Sequence, residues 1–505
     1  MKRKVVNKLL AASLATAMTV SMAGCGGGDA APAEAPAQED TGSEAAPAPA
    51  DDTTADAPAD TAGEDAAAED DSPYPVLTDA DGNVYDLGGM EIILRDWWSP
   101  ADGAYTEPQD AFQEAELEWR EWAQETYNFT FKQMGISDWA STPQDFTEYA
   151  TTGDDKNYIF VSREDPATSS AMASGLMYDL ATLDCLDFSA DKFSNKMHEK
   201  FSKGDSIYAM SAGDPEPRTG IYFNKRILEE AGINPEDLYD WQASGEWTWD
   251  KFEECLQKVQ QDTDNDGVID IAGFNENNAV VQMAVYSNGA DFIGKDENGN
   301  FRYALEDPAT IEALTWAQHI IDEYRQTPPA DAQWDYYKQA FVNGEVAFMP
   351  EDAYCMYKKG EDESANGFVC AMEDDFGFVM FPKGPQMDDY VNLWSENLIA
   401  IPSCYDADRA WKIAFAWNLW TEPVPGYEDY NSILPFVYAG ARDTRAADET
   451  FMMMLEKGKI TYHGVIPQLD FGEPFLWKFS KGAVPSEIIE GISDTWKSYV
   501  DAANQ

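Results

Sequence analysis

From Gly26 to Pro73 the chain is built almost entirely of Ala, Pro, Asp, Glu, Thr and Gly, without one aromatic residue, lysine or arginine. Such a stretch cannot bury enough apolar surface to offset the entropy of ordering it, so folding is confined to residues 74–505. That body has material for two large lobes or two to three ordinary domains. With 44% hydrophobic and 13% aromatic residues overall, the chain can fill a sizeable core. The formal net charge is -59; four basic residues in the first 24 and fourteen acidic ones in the stretch after them leave -49 on the body. A field of that sign repels nucleic acid and anionic lipid, so neither is expected as a partner.

The segment ahead of the acidic stretch has a different character. Lys2, Arg3, Lys4 and Lys8 precede a short apolar run, Leu9–Val20, and Met22-Ala23-Gly24 leads directly to Cys25. The run falls short of the roughly 20 residues that span a bilayer, so residues 1–24 read as a cleaved export signal. The pattern is similar to that of bacterial lipoproteins, with Met22 where leucine is usual. The resemblance implies that Cys25 becomes the acylated first residue of the mature chain and that residues 25–73 form a stalk on the outer face of the cytoplasmic membrane. A flexible chain of that length reaches roughly 40 Å. The remaining cysteines, Cys185, Cys255, Cys355, Cys370 and Cys404, are odd in number and patternless in spacing. Buried thiols are the simpler reading, with a single Cys355–Cys370 bridge as the alternative.

Along the body, strand and helix signals alternate. Asp79–Asn83 suits a hairpin turn; Glu91–Arg95, Phe129–Met134 and Asn157–Val161 read as strands, with a helical pattern over Gln109–Thr126. The character repeats from Ile221: a strand to Phe223, a helix over Asn224–Ala231, and a helix capped by Thr248 with Phe252, Cys255, Leu256 and Val259 on one face. Asp307-Pro308 opens another helix. Phe376–Phe381 and Leu398–Ile401 are further strands, and Trp411, Phe415 and Leu419 mark a helix face. This order predicts an α/β protein with largely parallel sheets.

Four segments together resemble the extracellular solute-binding proteins of the family that includes maltose-binding protein. They are Tyr222–Ile233 (Y-x-N-K…A-G), Trp247–Phe252 (T-W-D-x-F), Phe341–Phe348 (F-x-x-G-x-x-A) and Phe376–Pro385 (G-x-x-x-x-P-x-G-P), in the family's order. The resemblance implies a two-lobed periplasmic-binding-protein-like fold whose lobes are discontinuous and joined by hinge crossings. The expected boundaries are 74–218 plus 388–435 for the first lobe and 219–387 plus 436–505 for the second. It further implies a monomer that captures a solute, most simply a mono- or oligosaccharide, for the permease subunits of an ABC transporter. The chain has no G-x-x-x-x-G-K-[ST] loop for nucleotide hydrolysis of its own.

Ligand contacts are expected where strands end. Asp96-Trp97-Trp98 closes the first strand and offers a carboxylate with one or two flat apolar faces, although one tryptophan packed under the loop would account for it as well. In the third family segment the aromatic place falls to Tyr354, with Glu351 nearby. Trp394 and Glu396 lie before a strand in the segment returning to the first lobe, where cleft contact and a solvated turn weigh equally. Asn288 and Arg442 are weaker candidates, explained as readily by a turn and an exposed ion pair with Asp443.

Asp262, Asp264, Asp266, the Val268 carbonyl and Asp270 occupy positions 1, 3, 5, 7 and 9 of an EF-hand-like loop. Position 12 is Gly273, so the bidentate glutamate is missing; a structural Ca2+ is the expected occupant, with an empty acidic turn as the alternative. Asp296–Asn300 lacks the third acidic position and reads as a hairpin turn. No catalytic cofactor is expected. The only histidines, His198, His319 and His463, are far apart in sequence, and neither H-E-x-x-H nor G-x-S-x-G occurs. A surface glycoside hydrolase or carbohydrate adhesin stays open as an alternative, as does a binding protein for a cationic solute such as a polyamine, which an acidic, Trp-bearing cleft would also suit.

Overall fold

The computed structural model describes residues 74–505 apart from Tyr105, Thr106, Asp362, Ser395 and Glu396. Residues 1–73, with Cys25 and the stalk, lie outside the described residues, as does Glu396. Two four-stranded sheets, each with its own core, organise the body.

The first sheet is built from β1 (Met90–Asp96), β2 (Phe129–Gly135), β3 (Asn157–Arg163) and, from far along the chain, β9 (Asn397–Ala400). Its order is β9-β3-β1-β2; β1 runs parallel to β2 and β3, and β9 antiparallel to β3. Ile92, Ile159 and Phe160 have no exposed surface, as expected for strands covered on both faces. The covering helices are α1 (Ala111–Tyr127), α2 (Thr142–Thr152), α3 (Pro166–Ala173) and α7 (Ala407–Trp420). Asp110 caps α1 through the Gln113 N–H at 2.8 Å, and the Trp119 indole N–H donates to the Leu419 carbonyl, tying α1 to α7.

The second sheet comprises β4 (Thr219–Asn224), β5 (Ala272–Phe274), β6 (Val346–Asp352) and β7 (Phe376–Met380), in the order β7-β4-β6-β5. Here the expectation of parallel strands fails in part: β4 is antiparallel to both β6 and β7, and only β5 runs parallel to β6. The reason is the entry point. The chain arrives on the crossing segment at the end where β6 and β7 finish, so β4 must run against them. Helices α4 (Trp249–Val259), α5 (Ala279–Ser287), α6 (Pro308–Tyr324) and α8 (Leu434–Gly440) belong to this half. Thr248 caps α4 through the Lys251 N–H, and Phe252, Cys255, Leu256 and Val259 are buried as its period requires.

Two antiparallel connections bridge the sheets. Met210 and Ile399 exchange backbone hydrogen bonds at the first-sheet end, and the Arg218 N–H donates to the Leu393 carbonyl at the other. Tyr390, Val391 and Leu393 pack in the second core and Leu398 in the first, so the return crossing lies between Leu393 and Leu398. A third strip, β10 (Gly458–Lys459), pairs in parallel with β8 (Asn392–Leu393) and continues to Val465, which packs in the first core while Ile466 packs in the second. Among the described residues no helix is long and apolar enough to cross a membrane.

The five cysteines of the body are free thiols. This agrees with the simpler of the two readings, and the alternative Cys355–Cys370 bridge is not formed: Cys370 directs its Sγ–H to the Met356 carbonyl at 3.4 Å, and burial pushes both thiols above their ordinary range.

Candidate functional site

In the first lobe, β1, β2 and β3 all end on one edge, and the return crossing joins that edge because Asn397 pairs with Arg163. In the second lobe the matching edge holds the ends of β6 and β7 and the start of β4, where the Ala353 N–H donates to the Arg218 carbonyl. The crossings therefore leave one strand-end edge and enter the other, and the side chains there line the ground between the lobes.

On the first edge Asp96 is fully buried. Its Oδ1 accepts the N–H groups of Trp98 (3.3 Å) and Ser99 (3.0 Å), and Oδ2 accepts the Ser99 hydroxyl (2.6 Å) and the Gln133 amide (2.7 Å). Its hydrogen-bonding capacity goes to shaping the loop. Trp97 is half-buried and meets Trp98 edge-on at 4.9 Å, which holds Trp98 in place while leaving it 54% exposed. The loop after β2 supplies Trp139, which is 57% exposed; the guanidinium of Arg163, at the end of β3, stacks 4.1 Å over its ring and pairs with Asp165 at 2.9 Å. Sequence reasoning stopped at the first strand end and missed Trp139 and Arg163. The same rule, applied to the ends of β2 and β3, would have reached both.

On the second edge Glu351 and Asp352 finish β6 and Tyr354 follows, 39% exposed. Arg218 pairs with Asp352 at 3.2 Å and lies 5.9 Å from the Tyr354 ring centre. Glu351 accepts the Asp352 N–H at 3.0 Å and a hydrogen bond from the Tyr337 hydroxyl. Burial, then the neighbouring Asp352 carboxylate, push its carboxyl up to about 7. Past β5, buried Glu276 accepts the Val280 N–H at the start of α5 and faces Arg325 at 3.9 Å; burial raises its carboxyl despite that partner. Trp334, 75% exposed, precedes Tyr337 by one turn. Glu276, Arg325 and Trp334 carry no sequence pattern that marks them.

The other expected contacts are placed differently. Trp394 lies on the crossing, opposite Pro217, and packs on Gly458 so closely that a Cβ there would stand 1.7 Å from the indole. Asn288 has no exposed surface: its amide nitrogen donates to the Ala309 carbonyl (2.9 Å) and Glu312 (3.0 Å), and its oxygen accepts the Gln386 N–H. Arg442 reaches the Cys370 and Met372 carbonyls beside Phe376, at the start of β7 and so on the opposite edge. The Arg442–Asp443 pair expected from the sequence is replaced, because Asp443 pairs with Lys225 at 2.7 Å.

In the acidic loop, carboxylate oxygens of Asp262, Asp264 and Asp270 lie within 4.8 Å of one another. The Gln261–Ile271 bridge closes the loop at its base. Asp266 caps the Val268 N–H at 2.8 Å and stands outside this group of three, and the Val268 side chain is exposed. Three hard oxygen donors at this spacing fit a calcium ion better than a softer metal.

Residues 195–417 match the family model described as bacterial extracellular solute-binding protein. No curated protein matches the chain. The fold is shared with solved structures of low identity. The GacH receptor of Streptomyces glaucescens GLA.O, solved unliganded and with acarbose, is 15% identical with a TM-score of 0.55 over 82% of this chain and 99% of that one. UgpB from Mycobacterium tuberculosis, in complex with glycerophosphocholine, is 17% identical with a TM-score of 0.55 and the same coverage. The cyclic alpha-maltosyl-1,6-maltose binding protein from Arthrobacter globiformis is 14% identical with a TM-score of 0.54, again over 82% and 99%.

The raised carboxyl of Glu351 gives a signed prediction. Between pH 4.5 and about 7 the native state retains a proton that the unfolded chain has released, so this residue's share of stability falls as pH rises through that window. Glu351→Gln mimics the protonated form and removes the effect. Chemical denaturation at about pH 5 and about pH 8 should show the variant gaining on the wild type at the higher pH; a difference independent of pH would mean the carboxyl titrates normally.

Proposed function

We propose, from the chain's match to the bacterial extracellular solute-binding proteins, that it captures a neutral saccharide between its lobes and delivers it to an ABC permease. The relatives of like fold are described with acarbose, glycerophosphocholine and a cyclic maltosyl-maltose, so the fold alone leaves the ligand open. One observation carries the choice: at the strand-end edges Arg163, Arg218 and Arg325 are each matched by a carboxylate (Asp165, Asp352 and Glu276), while Trp98, Trp139 and Tyr354 stand exposed among them. Paired charges offer hydrogen bonds without net field, and aromatic faces suit the C–H face of a sugar ring. A polyamine would want unpaired carboxylates. Glu351, whose carboxyl is pushed up to about 7, is only part-ionised near pH 7.

The family binds rather than transforms its ligands, and the reading here is capture without chemistry. His463, the most deeply placed histidine, shares a hydrogen bond with Tyr286, and burial and then Lys200 push its pKa down to about 3, which makes it a poor proton acceptor near pH 7. In this proposal Cys25 carries the lipid anchor, the 25–73 stretch is the stalk, and calcium at Asp262, Asp264 and Asp270 braces the loop that closes on Gln261–Ile271.

Three outcomes are expected. Calorimetric titration should give one-to-one saccharide binding with the sugar recovered unchanged, and Trp98→Ala or Trp139→Ala should remove ~1–3 kcal/mol of it; hydrolysis of the sugar, or binding of spermidine in its place, would sink the reading. Chelation should lower the melting temperature of the wild type and leave Asp262→Ala/Asp264→Ala unchanged, whereas identical melting with and without chelator would make the loop a plain acidic turn. Cys25→Ser should move the protein from the membrane fraction to the medium; retention after a high-salt wash would refute the anchor.

A further inference from the structure

We propose a second binding site in the second lobe, apart from the strand-end edges, for a protonated amine that carries an apolar body. Helix α9 (Pro485–Ala503) turns Ile488, Ile492, Trp496 and Val500 into the second core, at the spacing of one helix face. The neighbouring stripe of α9 shares with α6 a groove of about 690 Å³, inside the roughly 300–1,000 Å³ range of small-molecule sites. Ile311 from α6 and Val484 at the entry to α9 line it and are 43% and 51% exposed, together with Pro485 and Ile489. No residue of this lining belongs to a strand-end edge or to a crossing.

The polar groups of the groove leave acceptors over. Lys497, the one basic residue in the lining, is held by both Glu306 carboxylate oxygens at 2.7 and 2.8 Å, and the Ser493 hydroxyl by that of Tyr303 at 2.6 Å. Glu490 and Asp494 are exposed, and among the described residues no basic side chain pairs with either. They stand four residues apart on one helix face, where like charges repel. From α6, Gln318 donates its amide N–H to Asp322 at 2.7 Å, while its carbonyl oxygen is buried with no hydrogen-bond partner among the described residues. Two carboxylates and one carbonyl thus lack donors in a groove with an aliphatic lining. A primary ammonium brings three N–H donors and a positive charge, so it suits these acceptors and relieves the carboxylate repulsion. An alkyl or aryl body attached to it leaves water for Ile311, Val484 and Ile489. The contrast with the strand-end edges is direct: there each arginine is matched by a carboxylate, whereas here two carboxylates are left unmatched.

The test is calorimetric titration of the full chain with 4-phenylbutylamine, in about 0.15 M salt to screen the general field of the acidic surface. One-to-one binding is expected, with 4-phenylbutanol and 4-phenylbutanoate weaker by about tenfold or more. Glu490→Gln/Asp494→Asn should lower affinity for the amine by roughly tenfold, whereas Glu487→Gln, on the same helix but outside the lining, should change it by less than about twofold. Hydrogen exchange on the wild type locates the site without any variant: the amine should protect residues 308–318 and 484–497. Equal losses in Glu487→Gln and the double variant would mean diffuse attraction to an acidic surface and overturn the site. Equal affinity for the alcohol would remove the cation from the proposal and overturn it too. Protection confined to residues 96–99 and 351–354 would place the amine at the strand-end edges and refute the groove, as would no binding of the amine at all.

Discussion

The buried ion pair between Glu164 and Lys200 fixes where the two lobes meet. Their side chains are 2% and 7% exposed, and in such surroundings neither charge is tolerable alone. Breaking a buried pair of this kind typically costs about 3–5 kcal/mol. Lys200 also donates to the Thr461 hydroxyl, and the Ser169 hydroxyl reaches the Gly464 carbonyl, so a strip that arrives with the second lobe is anchored on the first. Residue 464 has to be glycine, because a Cβ there would stand 2.2 Å from a Glu164 carboxylate oxygen. Next to it His463 turns the other way, toward Tyr286 and Phe292 of the second core. One short segment thus belongs to both cores, with Val465 in the first and Ile466 in the second.

That shared segment lies against Glu164, which follows the end of β3 and so borders the first strand-end edge. Two parallel sheets would present equivalent edges automatically, but here the second sheet is mixed and only its β6 and β7 ends, with the start of β4, meet the crossing. The side chains placed there are unlike the rest of the surface. On the first lobe Asp96 organises the loop and Trp98 is displayed by it; on the second, Asp352 pairs with Arg218 and burial raises the Glu351 carboxyl. Hydrogen-bonding groups are plentiful there, and each of Arg163, Arg218 and Arg325 is matched by a carboxylate.

Much of the scaffold was readable from local pattern because local physics dictates it. The alternating strands and helices, the Thr248 cap and the Asp296–Asn300 turn follow from side chains within a few residues of each other, and they recur in the structure with boundaries shifted by one or two residues. Trp98 and Tyr354 were legible for a similar reason, since a strand end can be located from the strand. What escaped was set by long-range placement. Trp139 matters only once β2 is known to lie beside β1, and Arg163 only once it stacks on Trp139. Asn288 looked like a turn residue but is drawn inside by Glu312 and Gln386, and Arg442 is claimed by carbonyls 70 and 72 residues away. The reversed direction of β4 likewise follows from where the chain crosses, which no window of sequence contains.

The charge of the chain illustrates how misleading a global quantity is for a local site. An excess of -49 on the body would seem to demand a cationic ligand. Yet the Debye length is about 8 Å at physiological ionic strength, so exposed carboxylates on outer helices scarcely reach the ground between the lobes. There, interactions over 3–4 Å decide, and at that range Arg163, Arg218 and Arg325 each face a carboxylate. The long-range field still acts on approach: it disfavours anions and slows them, while a neutral saccharide feels none of it. The surface thus acts against anions at a distance, while at contact the arginines and carboxylates largely offset one another.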